Sequence, residues 1–302
     1  DTVGEDLSFV NIHYYAAAAT QWGSVVLGGY QYEGKSYDVR FDHVESLDTC
    51  VECHDVHALE VRVGACAACH DVDDVEDLQD VRFLGSPSDY DGDGDTEEGI
   101  AREVEGLQGM LYQALQAYGA QVVEQPIIYS PDTHPYFFAD TNGNGTLDEG
   151  EAVRDNQYAS WTPRLLRAAY NYQTSLKDPG AYTHNAKYVI QLLYDSIEDL
   201  NAALTEPVDL STAQRDDPGH FQGSSEAFRH WDAEGEVPAS CATCHAAEGV
   251  PFRLEHGVQI AQEPGNGLAC STCHDNVFDF ALHPVANVTF PSGVTLGFEQ
   301  SE

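Results

Sequence analysis

The sequence is poor in positive charge. Its 302 residues include 13 lysines and arginines against 51 aspartates and glutamates, for a formal net charge of -38. A surface of that sign repels nucleic acids and anionic membranes, which excludes both as expected partners. It suits cations, basic partners or a salty medium that screens self-repulsion, or it serves solubility alone.

Long apolar runs are also missing. No stretch reaches 18 apolar residues, so the sequence predicts no membrane-spanning helix. The opening residues, DTVGEDLSF, contain neither the charged part nor the apolar part of a signal peptide. We interpret them as a mature terminus from which a signal peptide has been removed. We therefore expect an exported protein that is extracellular or on the cell surface.

No cysteine is left over for a structural disulfide or a nucleophile. All eight cysteines fall in four Cys-x-x-Cys pairs, and a histidine follows each pair at once. The four units are Cys50, Cys53 and His54; Cys66, Cys69 and His70; Cys241, Cys244 and His245; and Cys270, Cys273 and His274.

Each unit has the spacing that attaches haem c. Two thiols one helical turn apart can form thioethers to the two vinyl groups of the porphyrin, and the next histidine then lies beneath the iron. A single unit could instead bind zinc or carry out thioredoxin-like redox chemistry. Neither alternative explains four repeats that all end in histidine. The sequence therefore predicts a tetrahaem c-type cytochrome with four haem c groups, which form much of the core.

The sixth iron ligand is predicted to be a second histidine. Met110 is the only methionine, whereas nine histidines remain outside the four units. Bis-histidine ligation is therefore favoured, and it implies low reduction potentials. We interpret His134, His256 and His283 as ordinary loop or surface residues. The candidate distal ligands are His13, His43, His57, His184, His230 and His220.

The surroundings of these histidines give reasons for choosing them. His57 lies too close to His54 to reach the opposite face of the same iron, so it would join the first haem unit to the second. His230 has aromatic neighbours and shortly precedes the third unit. His184 begins a predicted helix with Thr183 as its N-cap, and a surface position at the cap is the alternative to a ligand.

Residues 140–151, DTNGNGTLDEGE, match the twelve-residue EF-hand loop, which binds calcium through oxygen atoms. Gly145 stands where this loop turns, and Glu151 closes it as the bidentate ligand. The expected calcium ligands are Asp140, Asn142, Asn144, Thr146, Asp148 and Glu151.

Residues 89–100, DYDGDGDTEEGI, match the first half of the same motif. Ile100 occupies the closing position, so the last carboxylate would come from Glu97, Glu98 or elsewhere, and a plain acidic turn is the alternative. One or two calcium ions are therefore predicted, in a structural role that suits the calcium supply outside cells. The expected ligands here are Asp89, Asp91, Asp93 and Asp95.

The fold is predicted to be mainly α, with much irregular structure and few short β-strands. Apolar residues at helical spacing predict helices over 97–123 and 161–176, and alternation predicts a strand pair within 288–298. The expected regions are an N-terminal dihaem region at 1–85, a helical insert with both calcium loops at 86–215, and a C-terminal dihaem region at 216–302.

Together with the four units, the segments NIHYYAAAAT, AYTHNAKYVIQLLYDSIEDLN and SEAFRHWDAEGEVPASCATCH resemble a known family. This is the family of extracellular multihaem c-type cytochromes that polymerise into conducting filaments, of the OmcE/OmcS type with its tetrahaem archaeal relatives. The resemblance covers most of the chain. It implies a continuous stack of bis-histidine haems and an axial histidine donated by the adjoining subunit, at the position of His13. The calcium loops are not part of that pattern.

We therefore expect an electron-transfer protein rather than an enzyme, acting as the repeating subunit of an extracellular filament. Its expected partners are identical subunits, other redox proteins and extracellular electron acceptors. One alternative is a multihaem reductase of a small nitrogen or sulfur oxyanion, which would need an iron with an open position. Another is a soluble periplasmic electron shuttle, which shares the chemistry and differs in assembly.

Overall fold

The computed structural model describes most of the chain, in two compact units. The first unit comprises Asp1–Phe41, Glu76–Arg82 and Ser88–Asp216, and the second comprises Asp42–Val75, Phe83–Pro87 and Asp217–Glu302. The described residues are 1–12, 16–41, 43–44, 47, 49–58, 60–82, 88–216, 230–231, 233–246, 248–264, 274–276, 281–284, 287–289 and 295–297.

Helices dominate the described chain, and its strands are short. The α-helices are α1 Ala17–Trp22, α2 Cys50–Cys53, α3 Val63–Cys66, α4 Ile100–Gln121, α5 Pro163–Leu176, α6 Ala181–Asn201, α7 Ala239–His245 and α8 Gly249–His256. Short 3-10 helices span Gly23–Val25, Glu76–Asp80 and Arg154–Asn156. The strands form three antiparallel pairs: β1 Ile127–Tyr129 with β2 Phe137–Ala139, β3 His274–Asn276 with β4 Ala281–Leu282, and β5 Asn287–Thr289 with β6 Thr295–Gly297.

The predicted fold class, mainly α with irregular regions and few short strands, is confirmed. The first unit is built on α4, α5 and α6. α4 buries Leu107, Leu111 and Leu115, which lie on one face of the helix because they are spaced by about one turn. α5 begins where Thr162 Oγ1 accepts a hydrogen bond from the Leu165 N–H at 3.1 Å, and Pro163 stands at the first helical position.

An aromatic cluster ties the opening residues of the chain to the first unit. The Phe9 ring stacks on that of Trp161 with centres 5.6 Å apart, and its edge meets Phe137 at 4.8 Å. Further along, the Gly29 N–H donates to the Tyr188 hydroxyl at 2.8 Å. Residues before 42 therefore pack with the central helices. The sequence-based division into three regions by haem content stays a prediction.

Two buried carboxylates of the first unit, Asp195 and Glu103, are paired with arginines. Arg215 donates from Nε and Nη2 to Asp195 at 2.8 and 2.9 Å, and Arg82 Nη1 lies 2.6 Å from Glu103 Oε1. The side chains of Asp195 and Glu103 are fully buried. Removing one member of such a pair leaves an uncompensated charge in the interior, at a cost of about 3–5 kcal/mol.

α6 contains a break at Asn185. The turn before it closes with the His184 N–H donating to the Gly180 carbonyl at 2.9 Å. Asn185 then has extended backbone, with φ -171°, and its Oδ1 accepts from the Tyr188 N–H at 3.2 Å. Asn185 therefore caps the longer part of the helix, because its side chain reaches the N–H three residues on. The prediction that Thr183 is the N-cap is wrong.

The second unit carries α2, α3, α7 and α8 and the strand pairs β3–β4 and β5–β6. Trp231 packs against a small core of Val237, Ala242 and Ala246. The pairing of β5 with β6 confirms the strand pair predicted within 288–298. None of the helices described in either unit has the length and apolar character needed to cross a membrane.

Candidate functional site

The first Cys-x-x-Cys-His unit lies on a short helix, and the second begins at the end of another. α2 begins at Cys50 and ends at Cys53, and α3 ends at Cys66. The His54 N–H donates to the Cys50 carbonyl at 2.8 Å, and the His70 N–H donates to the Cys66 carbonyl at 2.9 Å. Each unit therefore completes one turn, which brings its histidine next to its thiols.

A closed link joins these two units. The Arg62 N–H donates to the Cys53 carbonyl at 2.8 Å, and the Asp55 N–H donates to the Glu60 carbonyl at 2.8 Å. Asp55 Oδ1 also accepts from the His57 N–H at 2.9 Å. His57 is exposed within this link. Its predicted role as a ligand between the first two haem units stays a prediction.

The thiols of the described units are accessible and form no disulfide. Burial, and then the neighbouring thiol of Cys66, raises the pKa of the Cys53 thiol, and burial raises the pKa of the Cys66 thiol. The hydrogen bond from Arg62 to Cys53 also shows that the two units adjoin. The vinyl groups of a haem must reach the sulfur atoms for thioethers to form, and these cysteines are exposed or half-buried. Cys50, Cys69 and Cys244 are exposed, and Cys53, Cys66 and Cys241 are half-buried.

His43 and His70 form a pair whose spacing fits one iron. Their ring centres are 6.1 Å apart and their planes meet at 55°. Two imidazoles bound on opposite sides of one metal have centres roughly 6 Å apart, because each nitrogen lies about 2 Å from the metal. Desolvation, and then His70, lowers the pKa of His43, and burial lowers the pKa of His70. Both shifts favour the neutral imidazole, which is the form that binds metals.

The third unit lies on α7, which ends at His245. The Trp231 ring centre is 5.2 Å from that of His245 and 4.8 Å from that of His230. The structure therefore places the candidate ligand His230 and the proximal His245 on the same indole. The contact between Trp231 and His245 is not evident from the sequence, where Trp231 is only an aromatic neighbour of His230.

Part of the fourth unit lies outside the described residues. Cys270 and Cys273 belong to that part, as do the candidate ligands His13 and His220. His274 begins β3 and is half-buried.

His184 is held by a carboxylate that the sequence analysis missed. Its Nδ1 lies 2.8 and 2.9 Å from the two carboxylate oxygens of Asp178, whose side chain is almost completely buried. In the sequence, Asp178 stands in KDPG, which is typical of a turn that ends a helix. Only the fold brings its carboxylate back to the imidazole.

The two acidic loops share a hydrogen-bonding pattern. Asp140 Oδ2 accepts from the Gly145 N–H at 2.8 Å, and Asp89 Oδ2 accepts from the Gly94 N–H at 2.8 Å. Gly145 and Gly94 have φ values of 75° and 98°, a region that favours glycine because it has no Cβ. The half-motif at 89–100 therefore folds into the same turn as the complete motif at 140–151.

The closing carboxylate of the first loop comes from an unexpected residue. In the loop at 140–151, Glu151 Oε1 accepts at 2.8 Å from the N–H of Thr141, the second residue of the motif. In the first loop, Glu103 Oε2 accepts from the Tyr90 N–H at 2.7 Å. Ile100 stands at the closing position of the motif and has no carboxylate. Glu103, on the first turn of α4, thus supplies that carboxylate instead. The motif has no such position, so sequence spacing could not identify it.

Carboxylates converge in the first loop. Oxygen atoms of Asp91, Asp93 and Glu98 lie within 4.8 Å of one another, as do those of Asp89, Asp91 and Glu103. Burial, together with the neighbouring carboxylates, raises the pKa of Asp91 to about 6 and that of Glu98 to about 7. In the part of the chain that the structure describes, such groups occur only here. A bound cation would relieve this concentration of negative charge.

The complete motif gathers its polar groups differently. Asp148 Oδ2 accepts from the side-chain amides of Asn142 and Asn144, each at 2.7 Å. In the other loop, at 89–100, the predicted ligand Asp95 accepts from the Glu97 N–H at 2.9 Å. The hydrogen bond from the Thr141 hydroxyl is the largest influence that lowers the pKa of Glu151.

Comparison with known proteins shows similarity to polyhaem cytochromes. The chain is 30% identical over 213 residues to the C-type polyheme cytochrome OmcC of Geobacter sulfurreducens, an alignment that covers 64% of this chain and 26% of OmcC. It is 37% identical over 93 residues to the C-type polyheme cytochrome OmcB from two strains of the same species, covering 28% of this chain and 12% of OmcB. No protein-family model matches the chain. No solved structure matches it significantly either.

These similarities and the four motifs support a multihaem c-type cytochrome with haem c as its cofactor. The aligned part spans about a quarter of the length of OmcC and about an eighth of the length of OmcB. These similarities do not extend to the finer assignment, a tetrahaem filament subunit of the OmcE/OmcS kind.

Proposed function

We propose that the protein is a tetrahaem c-type cytochrome that transfers electrons outside the cytoplasm. The observation that carries the proposal is the His43–His70 pair, because its 6.1 Å spacing suits two axial ligands of one iron and one member belongs to a Cys-x-x-Cys-His unit. When bound, haem c supplies an iron that accepts and releases a single electron.

The residues of the chain have separate tasks in this proposal. The cysteine pairs hold the porphyrins covalently, and the histidine that follows each pair is the proximal ligand. A second histidine, such as His43 beside His70, would bind the same iron and keep small molecules away from it. This arrangement favours electron transfer over a reductase, which needs an open coordination position to bind its oxyanion.

The spectroscopy of the oxidised protein tests this assignment. Intact mass should show four attached haems, and the electron paramagnetic resonance spectrum should contain only low-spin haem, since both axial positions of each iron are filled. A full equivalent of high-spin haem would contradict the bis-histidine assignment and favour the reductase.

We further propose that copies of the chain assemble into an extracellular filament. The support is the resemblance of the sequence segments around His13, His184 and His230 to filament-forming cytochromes. His13 lies outside the described residues, and its proposed role is to bind a haem of the adjoining subunit. The soluble shuttle is the competing proposal, since it has the same haems and no assembly.

Electron microscopy of negatively stained protein distinguishes the two assemblies. Wild-type protein should form filaments, and His13→Ala should keep four haems while losing filaments and gaining one high-spin haem. His256→Ala, which removes an exposed histidine on α8, is the matched control and should assemble normally. Unchanged filaments in His13→Ala would place the ligand between subunits elsewhere.

We also propose that both acidic loops bind calcium in a structural role. The shared backbone pattern supports it, and so do the converging carboxylates of Asp91, Asp93 and Glu98. Elemental analysis of washed protein should find about two calcium ions per chain, one for each loop. Its complete absence, together with thermal stability that chelation does not alter, would contradict the proposal.

A further inference from the structure

Trp231 has a defined place in the second unit. Its indole packs against the buried side chains of Val237, Ala242 and Ala246. Its carbonyl accepts from the Gly235 N–H at 2.9 Å, which closes the turn that follows it in the chain. The indole is therefore fixed both by packing and by the segment that carries it.

The indole also meets two imidazoles. The ring centre of Trp231 lies 5.2 Å from that of His245, with the planes at 57°, and 4.8 Å from that of His230, with the planes at 81°. Both distances are typical of aromatic rings in contact. Ala242 lies within the third Cys-x-x-Cys-His unit and Ala246 directly follows it. The contact with His245 is therefore part of the packing of this unit, on the side of its proximal ligand.

These two distances are incompatible with one iron between His230 and His245. Two imidazoles on opposite sides of one iron have ring centres roughly 6 Å apart, because each nitrogen lies about 2 Å from the metal. With Trp231 5.2 Å from one centre and 4.8 Å from the other, the indole centre would lie about 4 Å from that iron, nearly midway between the two rings. The porphyrin itself occupies that position, because it surrounds the iron between the axial ligands.

We propose that His230 is an axial ligand of a haem other than the one that the third unit holds. Trp231 is then a positioning residue, which packs on the proximal His245 and keeps His230 away from the sixth position of that iron. The inference rests on the proposed function and deepens it by joining two haems. The Cα atoms of consecutive residues are only about 3.8 Å apart, so the haems served by His230 and Trp231 are neighbours, as electron transfer between them requires.

The test removes the third haem and asks whether His230 still has an iron to bind. In the full-length protein, Cys241→Ala combined with Cys244→Ala should leave three attached haems by intact mass. Adding His230→Ala to this variant should turn one of those three haems high-spin in the electron paramagnetic resonance spectrum. Adding His256→Ala instead, which removes an exposed histidine of the same unit, is the matched control and should change no spin state.

The opposite result is equally definite. If His230→Ala produces a high-spin haem in the four-haem protein but none when the third haem is missing, His230 binds the iron of the third unit and the inference is overturned.

A second comparison decides the matter if the three-haem protein does not fold. Trp231→Leu removes the ring that packs on His245, so the low-spin signal of the third haem should shift. This shift should also appear when Trp231→Leu is added to His230→Ala, because the third haem is still low-spin there. Phe252→Leu removes a ring 4.5 Å from His256 and is the control that should shift no signal. An unchanged low-spin spectrum on adding Trp231→Leu to His230→Ala would overturn the inference.

The outcome for His230 is separable from that for the proposed function. Wild-type protein with four attached low-spin haems supports the tetrahaem assignment whatever His230 binds. If His230→Ala then keeps all four haems low-spin, His230 is no ligand, and the inference fails while the assignment stands. A full high-spin equivalent in the wild-type protein would instead contradict the proposed function itself.

Discussion

The rings of His43 and His70 lie 6.1 Å apart, and the two residues come from separate parts of the chain. His70 ends the second Cys-x-x-Cys-His unit, whereas His43 precedes the first. The pair therefore brings the segment before the first unit against the second unit. In the proposed function, His43 would complete the coordination of the haem that the second unit holds.

Replacing His43 should affect a single haem. His43→Ala should retain four thioether-linked haems, because no cysteine is changed, and should convert one of them to the high-spin state. Electron paramagnetic resonance and the visible spectrum measure this conversion. His256→Ala serves as the control, and an entirely low-spin His43→Ala protein would show that another residue is the ligand.

Replacing Glu151 should cost more stability when calcium is present than when it is absent. Glu151→Gln removes the closing bidentate carboxylate, so it should weaken the 140–151 site by tenfold or more, an order-of-magnitude expectation. A ligand at about 100 times its dissociation constant stabilises the folded state by about 2.7 kcal/mol, and a tenfold weaker site would lose about half of that. Calorimetric melting with and without calcium measures the difference. Equal calcium responses in variant and wild type would count against this site.

Glu103 should matter whether or not calcium is present. Its carboxylate binds Arg82 and the Tyr90 N–H, and its side chain is fully buried. Glu103→Gln leaves the Arg82 guanidinium without its counter-charge, so the free energy of unfolding should fall by about 3–5 kcal/mol even with a chelator added. Denaturant unfolding measures the loss. A loss confined to calcium-loaded protein would instead make Glu103 chiefly a metal ligand.

Calcium should stabilise the protein more at neutral pH than in acid. Because the pKa of Asp91 is raised to about 6 and that of Glu98 to about 7, the calcium-free folded state holds more protons than the unfolded state between about pH 4 and pH 7. These two groups therefore make the free energy of unfolding fall as the pH rises through that window. Calcium binds the ionised carboxylates, so its stabilising effect should grow over the pH range in which these two groups lose their protons.

The measurement is the rise in melting temperature on adding calcium, at about pH 5 and about pH 7.5. A larger rise at the higher pH is expected, and the difference should shrink in a variant that carries both Asp91→Asn and Glu98→Gln. Equal rises at both pH values in wild-type protein would contradict the role of this cluster.

The elements that could be predicted from the sequence are those specified by local patterns. α4 follows from the spacing of Leu107, Leu111 and Leu115, and the turn of each acidic loop follows from its glycine. Thr183 and Asn185 are both residue types that cap helices, and the sequence alone does not choose between them. The structure caps the longer part of α6 at Asn185, whose Nδ2 donates to the Val39 carbonyl. Local preference is a weak guide where tertiary contacts compete.

The less predictable features join distant parts of the chain. Gly29 binds Tyr188, which is 159 residues away, and no local pattern indicates that pairing. Glu103 closes a loop from outside its motif, and Asp178 reaches His184 through a turn that the sequence marks only as a helix end. Within the candidate site, the Cys-x-x-Cys-His motifs are evident from spacing, whereas the contacts of Asp178 with His184 and of Trp231 with His245 are not.

The closed link between the first two units has a mechanical consequence. Hydrogen bonds from Arg62 to Cys53 and from Asp55 to Glu60, with a bridge between His54 and Val61, tie its ends through main-chain atoms. A linker of the same length without these main-chain hydrogen bonds would sample many end-to-end distances. This link should therefore be rigid. Substitutions along it should leave the separation of the first two Cys-x-x-Cys-His units unchanged, whereas inserting or deleting one residue should alter that separation.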